Sequence, residues 1–373
     1  MKIIVAPDSF KGSLQADEVS AIIIEELKKM DSTYDVINLP ISDGGEGFLL
    51  AMSDEVQRFK QKVTGPMGQS VTASYAIIGN KVIIEMAEIC GLHLVEHHHR
   101  NPLVATTYGV GELIKNLIDE GYRHFTIGIG GSATNDGGVG MLAALGMRFF
   151  DDGQQLLANP HIMTVQNLDH TTLDERLVNC HFIIANDVSN PLCGEAGASV
   201  VFGPQKGLKY PAIEQVDQQL ASVGRMYERR VGKAVSNVPG AGAAGGIGAA
   251  FLAFFNCEMV AGAVLVLHNA KYEEYLGHST VVITGEGCSD EQTLAGKAPL
   301  HIAEIARRHE VPTILLSGRV SACDRKILQP YFYAILSVVQ GDVSPQQSLE
   351  NASYFLRQAA QKLQPILEEL PLN

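Results

Sequence analysis

The sequence predicts an α/β protein with mostly parallel strands, and three observations support this fold class. Short apolar runs of strand length alternate with stretches whose apolar residues recur at helical spacing, the pattern of parallel sheets covered by helices. The 373 residues include 37 glycines and no tryptophan, a composition typical of many tight strand-to-helix turns. Hydrophobic residues make up 46% of the chain, which is enough for sizeable cores. The length fits about two domains of ~150 residues.

The elements follow in order along the chain. A strand over 3–6 leads to a helix over 14–29 with Ser13 as its N-cap, and a second strand over 36–41 leads to another helix. Residues 71–78 and 82–86 flank the turn residues Gly79 and Asn80, which predicts a β-hairpin. Later strands are predicted over 125–129, 181–184, 281–284, 313–316 and 333–338. Later helices are predicted over 107–120, 245–255, 299–308 and 345–367, the last with Ser344 as its N-cap.

The change of pattern at the hairpin predicts two domains. The simple strand–helix alternation at both ends of the chain predicts a doubly wound domain formed by residues 1–65 and 276–373. The mixed pattern between them predicts a second, mixed α/β domain at 66–275 that is inserted in the first.

Charge and cysteine usage exclude several classes of function. The chain carries 28 Lys and Arg against 41 Asp and Glu, a net charge of −13, so no nucleic-acid partner is expected. The six cysteines lack any C-x-x-C pair, which argues against a disulfide framework or a structural zinc and favours a reducing compartment. No signal peptide or membrane span is predicted, so the location is expected to be cytoplasmic. The oligomeric state is not predicted.

Four predicted loops at strand ends combine glycine, a carboxylate, and a hydroxyl or a lysine, at 8–13, 43–47, 130–138 and 284–297. Glycine exposes backbone N–H groups to phosphate oxygens, lysine offsets their charge, and carboxylates hold Mg²⁺ or accept a proton from a hydroxyl. The candidate catalytic residues are Asp8, Lys11, Asp43 and Asp187, of which Asp43 and Asp187 are also candidate Mg²⁺ ligands. The candidate substrate- and phosphate-binding residues are Ser9, Gly44, Gly45, Glu46, Gly130, Gly131, Ser132, Thr134, Asn135, Asp136, Lys206, Gly285, Glu286, Gly287, Asp290 and Lys297.

Two segments are similar to dinucleotide-binding fingerprints. Residues 240–245 match G-x-G-x-x-G but follow Pro239 instead of a strand, whereas residues 128–133 fit G-x-G-x-x-A and do follow a strand. The second segment keeps an NAD-dependent hydroxy-acid oxidoreductase as an alternative. No Walker A motif is present, because Ala298 follows Lys297 where Ser or Thr is needed. Glu85 ends an apolar strand, where it is either solvated or turned into a cleft.

Taken together and in order, these motifs resemble the type 1 glycerate kinase family over essentially the full length. The matching segments are residues 6–14, 43–47, 130–138, 202–207, 239–246 and 284–297. The resemblance implies a kinase that uses ATP and Mg²⁺ to phosphorylate glycerate, giving 2-phosphoglycerate rather than 3-phosphoglycerate. It also implies a flavodoxin-like domain with an inserted restriction-endonuclease-like domain. After Gly-Glu-Gly the family usually has Arg, an apolar residue and Asp, whereas this chain has Cys288, Ser289 and Asp290.

Overall fold

The computed structural model describes residues 1–339, 341 and 343–370, and the chain folds into two compact units. The first comprises Met1–Asp43 with Ala261–Asn373, and the second comprises Gly44–Val260. These limits differ from the predicted boundaries at 65 and 276. Residues 44–65 belong to the second unit because a strand at Arg58–Thr64 pairs within its sheet, and residues 261–275 belong to the first because a helix at Gly262–Asn269 packs on one at Ala298–Arg308. The functional domain boundaries remain a prediction.

The described part of the chain contains thirteen strands and fifteen α-helices. The strands are β1 Lys2–Pro7, β2 Asp35–Asn38, β3 Arg58–Thr64, β4 Ser70–Ile78, β5 Lys81–Glu85, β6 His124–Gly128, β7 Arg148–Phe150, β8 Asn167–Asp169, β9 His181–Ala185, β10 Cys257–Val260, β11 Thr280–Cys288, β12 Thr313–Arg319 and β13 Ala334–Ser337. The helices are α1 Ala16–Met30, α2 Phe48–Met52, α3 Ala87–Cys90, α4 Tyr108–Asp119, α5 Val139–Ala144, α6 Ala198–Phe202, α7 Ala212–Val231, α8 Ala243–Phe254, α9 Gly262–Asn269, α10 Tyr272–Tyr275, α11 Ala298–Arg308, α12 Ala322–Leu328, α13 Pro345–Glu350, α14 Ala352–Gln361 and α15 Leu363–Glu368.

The first unit is built on a parallel five-stranded sheet in the order β13-β12-β11-β1-β2. Both faces of this sheet are buried: Ile314 packs in the core that includes α1 and α14, while the next residue, Leu315, packs in the core that includes α11 and α12. The chain leaves β1 towards β2 and leaves β11 towards β12, so neighbouring connections diverge between β1 and β11. Ligands bind at such a point in open α/β sheets.

The second unit is built on a mixed six-stranded sheet in the order β10-β9-β6-β5-β4-β3. Strands β5, β6, β9 and β10 are parallel, whereas β3, β4 and β5 form antiparallel pairs. Phe125 and Phe182 are register partners on β6 and β9, and their rings stack with centroids 5.1 Å apart in the main core. The predicted hairpin at Gly79 and Asn80 is confirmed as β4 and β5.

The structure corrects three predicted elements. Helix α1 has Gln15 rather than Ser13 at its N-cap, because the Ser13 hydroxyl donates instead to the carbonyl of Phe10 (2.9 Å). Strand β11 continues beyond its predicted end at 284 through residues 285–287, which were predicted as a loop. The single predicted C-terminal helix is broken into α13, α14 and α15, although Ser344 is confirmed as the N-cap, since its hydroxyl accepts from the backbone N–H of Gln347.

The Gly/Ala-rich helix α8 is irregular at its start. Ala244, Gly245 and Gly246 have left-handed backbone angles. Residues 232–242, directly before them, form no strand, so the segment 240–245 lacks the strand context of a dinucleotide fingerprint. None of the helices described here combines the length and the apolar character needed to cross a membrane.

Candidate active site

A cavity of about 250 Å³ lies in the first unit, beside the ends of β1 and β11. Charged side chains from the predicted loops and from the end of β12 line this cavity. Its charged and thiol lining residues are Asp8, Lys11, Asp43, Glu286, Cys288, Lys297 and Arg319. The pairing of β1 with β11 explains why residues nearly 280 positions apart meet here.

Asp8, Lys11 and Asp43 line this cavity together. The Asp8 side chain is buried, and one of its oxygens accepts a hydrogen bond from the backbone N–H of Ser9 at 2.7 Å. The ammonium of Lys11 pairs with the carboxylate of Asp43. Burial, and then the negative charge of Asp43, raise the pKa of Asp8 to about 8, while the charge of Asp43 raises the pKa of Lys11. Asp8 is therefore poised to exchange a proton near neutral pH.

Glu286 brings a third carboxylate to the same cavity. Its Oε1 accepts from the hydroxyls of Ser289 (3.0 Å) and Thr293 (2.6 Å), and its Oε2 lies 3.4 Å from the Lys297 ammonium. Burial raises the pKa of Glu286 in spite of these partners. Asp290 accepts from the backbone N–H of Gln292 (2.8 Å), so its carboxylate caps the turn before Lys297. Gly285 lies within β11, and Gly287 lines the cavity.

The raised pKa of Asp8 predicts a pH-dependent stability. An acid whose folded pKa lies above its unfolded value of 3.8 contributes stability that is full below pH 3.8 and is lost as pH rises through about 8. Asp8→Asn removes this titration while preserving shape. We expect the variant to have a higher thermal midpoint than the wild type at pH 8, by a few degrees, and a smaller difference at pH 5. Midpoints measured from pH 5 to 9 check this; equal differences at every pH would contradict it.

In the second unit, the loop after β6 packs directly on the segment that begins at Gly44. The backbone N–H of Gly130 donates to the carbonyl of Gly44 at 2.9 Å. A Cβ at Gly130 would lie 2.6 Å from Cα of Gly45, and one at Gly44, whose φ is +92°, would lie 2.7 Å from the carbonyl oxygen of Ala185. Glycine is required here because backbone meets backbone. Gly131 contributes its carbonyl oxygen to a bond from Leu92.

Lys206 fixes the same loop from within the second unit. Its ammonium is buried and donates to the hydroxyl of Ser132 (2.9 Å) and to the carbonyl oxygen of Thr134 (2.7 Å). Burial lowers the pKa of Lys206 to about 8. The neighbouring Asn135 is also buried, and its amide donates to the hydroxyl of Ser199 at 2.9 Å. The loop is thus held in one conformation by side chains from two other segments.

Asp136 holds the fold together around this loop. Its buried carboxylate accepts from the N–H (2.9 Å) and hydroxyl (2.8 Å) of Thr107 and from the N–H groups of Gly138 (3.1 Å) and Gly140 (3.2 Å). Four donors therefore occupy this carboxylate and join the start of α4 to the start of α5. The predicted role of Asp136 in binding substrate remains a prediction.

The remaining candidates of the second unit lie at strand ends. Glu85 is buried, and its oxygens accept from the backbone N–H groups of Gly47 (3.1 Å) and Leu49 (2.9 Å), while burial raises its pKa to about 7. It is therefore neither solvated nor open to a cleft: it anchors the start of α2. Glu46 lies 3.7 Å from the His93 ring, and Asp187 is partly buried after β9.

The structure brings together Asp8, Ser9, Lys11, Asp43, Glu286 and Lys297 around one cavity of the first unit, as expected from their loops. Sequence reasoning missed Arg319, which lines this cavity from the end of β12. The sequence feature that could have identified Arg319 is a cationic residue directly after Ser317 and Gly318. It was overlooked because the strand was predicted to end at 316 and its loop carries no carboxylate in that position.

Comparison with known proteins identifies relatives along nearly the whole chain. The sequence model of the family described as the glycerate kinase family matches residues 3–368. A glycerate kinase of Bacillus subtilis is 39% identical over 369 residues, covering 97% of each chain, and a glycerate 2-kinase of Escherichia coli is 40% identical, covering 91% of each. A crystal structure described as that of a candidate glycerate kinase 2 from Salmonella typhimurium LT2 has 39% identity and a TM-score of 0.76, covering 99% of this chain and 98% of that one.

Proposed function

The chain belongs to the glycerate kinase family, and we propose that it transfers the γ-phosphoryl group of ATP to a hydroxyl of glycerate. The 2-hydroxyl is the proposed acceptor, giving 2-phosphoglycerate. The support for this choice is the 40% identity to a protein named glycerate 2-kinase.

The observation that carries the proposal is the buried Asp8 carboxyl beside the Lys11–Asp43 ion pair, at the divergence of β1 and β11. A general base works best when its pKa lies near the operating pH, and the pKa of Asp8 is raised to about 8. We assign Asp8 as the base. Lys11 pairs with Asp43, and the charge of Asp43 raises the pKa of Lys11, so the lysine stays a cation beside Asp8.

The reaction requires one proton transfer and one phosphoryl transfer. The carboxylate of Asp8 accepts the proton of the attacking hydroxyl as its oxygen forms a bond to the γ-phosphorus. The bond from that phosphorus to the β,γ-bridging oxygen breaks in line with the attack, and its electron pair leaves with ADP. Lys11 and Lys297 offset the anionic charge near the cavity, and the N–H groups of the loop after β6 are proposed to contact phosphate oxygens.

Carboxylates are the groups that would hold Mg²⁺, because carboxylate oxygens are its preferred protein ligands. Asp43 and Asp187, the ligands expected from the sequence, are the residues proposed to hold it. When bound with the nucleotide, Mg²⁺ neutralises charge on the β- and γ-phosphates.

Substitution of the three aspartates tests the mechanism. ADP release with glycerate and Mg-ATP is measured for Asp8→Asn, Asp43→Asn and Asp187→Asn. We expect Asp8→Asn to lower kcat on the order of 1,000-fold, because the amide cannot accept the proton. The Asp43 and Asp187 variants should in addition raise the Mg²⁺ concentration needed for half-maximal rate. Phosphorus NMR of the product distinguishes 2- from 3-phosphoglycerate.

Asp152→Asn serves as the control, since Asp152 is an exposed aspartate that belongs to none of the proposed groups. It should retain the wild-type kcat. Unchanged kcat in all three test variants would contradict the mechanism, and a 3-phosphoglycerate product would contradict the choice of hydroxyl.

No comparison supports the oxidoreductase alternative, and thermal-shift titration with NADH against Mg-ATP tests it directly. We also retain, as proposals, the flavodoxin-like assignment of the first unit, the restriction-endonuclease-like assignment of the second, and a cytoplasmic location. The parallel order β13-β12-β11-β1-β2 supports the first of these.

A further inference from the structure

Arg319 stands opposite Cys288 at the rim of the first unit's cavity. The two residues are register partners at the ends of the neighbouring parallel strands β12 and β11, and both line the cavity. Neighbouring strands lie ~4.8 Å apart, and an arginine side chain is longer than that spacing. A guanidinium attached at either position therefore reaches the same part of the cavity.

Arg319 differs from the other cations of the cavity in the protein groups that it contacts. Lys11 pairs with Asp43, and Lys297 lies 3.4 Å from Glu286, so a carboxylate of the protein offsets part of the charge of each lysine. The described residues place a carbonyl against Arg319 instead: its Nη2 donates to the oxygen of Val343 at 3.2 Å. A guanidinium has five N–H donors, so this bond is compatible with binding an anion through the others.

We propose that Arg319 binds an anionic oxygen group of a substrate in this cavity. An arginine at position 288 would bind the same group. The inference rests on the proposed kinase activity. The ligand group is a carboxylate or a phosphate, both of which a guanidinium binds through two parallel N–H···O bonds. The first would come from glycerate and the second from ATP.

The test compares Arg319→Ser with the exchanged variant Cys288→Arg/Arg319→Ser. KM and kcat are measured separately for glycerate and for Mg-ATP. We expect Arg319→Ser to raise one KM on the order of 10- to 100-fold, the loss that follows from removing hydrogen bonds to a charged group. A rise for glycerate identifies the carboxylate, and a rise for Mg-ATP identifies the phosphate. The exchanged variant should recover most of that affinity.

Arg307→Gln is the matched control, because it removes an exposed arginine of the same unit that does not line this cavity. Its KM values should equal those of the wild type. Two unchanged KM values in Arg319→Ser overturn the proposal, and so does a raised KM that the exchanged variant fails to recover.

A ligand-binding measurement separates this inference from the activity. Absence of ADP formation by the wild type would overturn the proposed function. Thermal shifts with glycerate and with Mg-ATP test the arginine independently of turnover: a shift that is present in the wild type, lost in Arg319→Ser and restored in the exchanged variant supports the role, and equal shifts in all three overturn it.

Discussion

Lys206→Met is expected to destabilise the protein by about 2 kcal/mol, because two buried acceptors lose their donor. The variant leaves the hydroxyl of Ser132 and the carbonyl of Thr134 inside the second unit without the ammonium that now binds both. The loss of a buried charge, whose pKa is lowered to about 8, offsets part of this cost. The thermal midpoint should fall by roughly 4–8 °C, measured by calorimetry at pH 7.

Lys209→Met is the control, since Lys209 is exposed three residues further along the chain. It should shift the midpoint by less than about 2 °C, in line with surface substitutions. The expected role of Lys206 as a direct phosphate contact predicts a different outcome: an unchanged midpoint with a raised KM for Mg-ATP. That result would show that the lysine serves the ligand rather than the loop.

Gly130→Ala is expected to lower kcat on the order of 100-fold, the effect of moving a reacting group by about 1 Å. The added methyl group would lie 2.6 Å from Cα and 2.8 Å from the nitrogen of Gly45, so one of two backbone segments has to move. Backbone cannot rotate aside as a long side chain does, and the bond from Gly130 to Gly44 breaks or lengthens. ADP release at saturating glycerate and Mg-ATP measures the effect.

Gly277→Ala is the matched substitution, because a Cβ there meets nothing within 4 Å and its φ lies outside the left-handed region. It should leave kcat unchanged. A Gly130→Ala enzyme with wild-type kcat would show that the loop after β6 is not held against Gly45 during turnover, and would remove the basis for placing phosphate contacts there.

Much of the fold could be predicted because strand and helix periodicity are local signals. The hairpin at Gly79 and Asn80, the strand–helix alternation and the Ser344 cap depend on neighbouring residues alone. The site was harder to predict. Glycines and carboxylates at strand ends identified Asp8 and Glu286, since parallel strands end at one edge of a sheet.

What the sequence could not supply was the protein partners of the polar candidates. Asp136 and Lys206, both predicted to bind substrate or phosphate, are buried and hydrogen-bonded to the protein itself, and their contact with a ligand stays a prediction. These tertiary partners, such as Thr107, are distant in sequence. The relation of Arg319 to Cys288 was likewise out of reach of the sequence, because it exists only through the pairing of β11 with β12.

The division of the first unit between both ends of the chain has a consequence for its folding order. Strand β1 lies between β2 and β11, and Lys2 pairs with Thr280. During synthesis, the continuous segment Gly44–Val260 leaves the ribosome complete, whereas β1 has to await a neighbour made some 280 residues later. We therefore expect the unit that contains Asp8 to close its sheet last. Folding of the unit in between lowers the loop-closure entropy that the pairing of β1 with β11 costs.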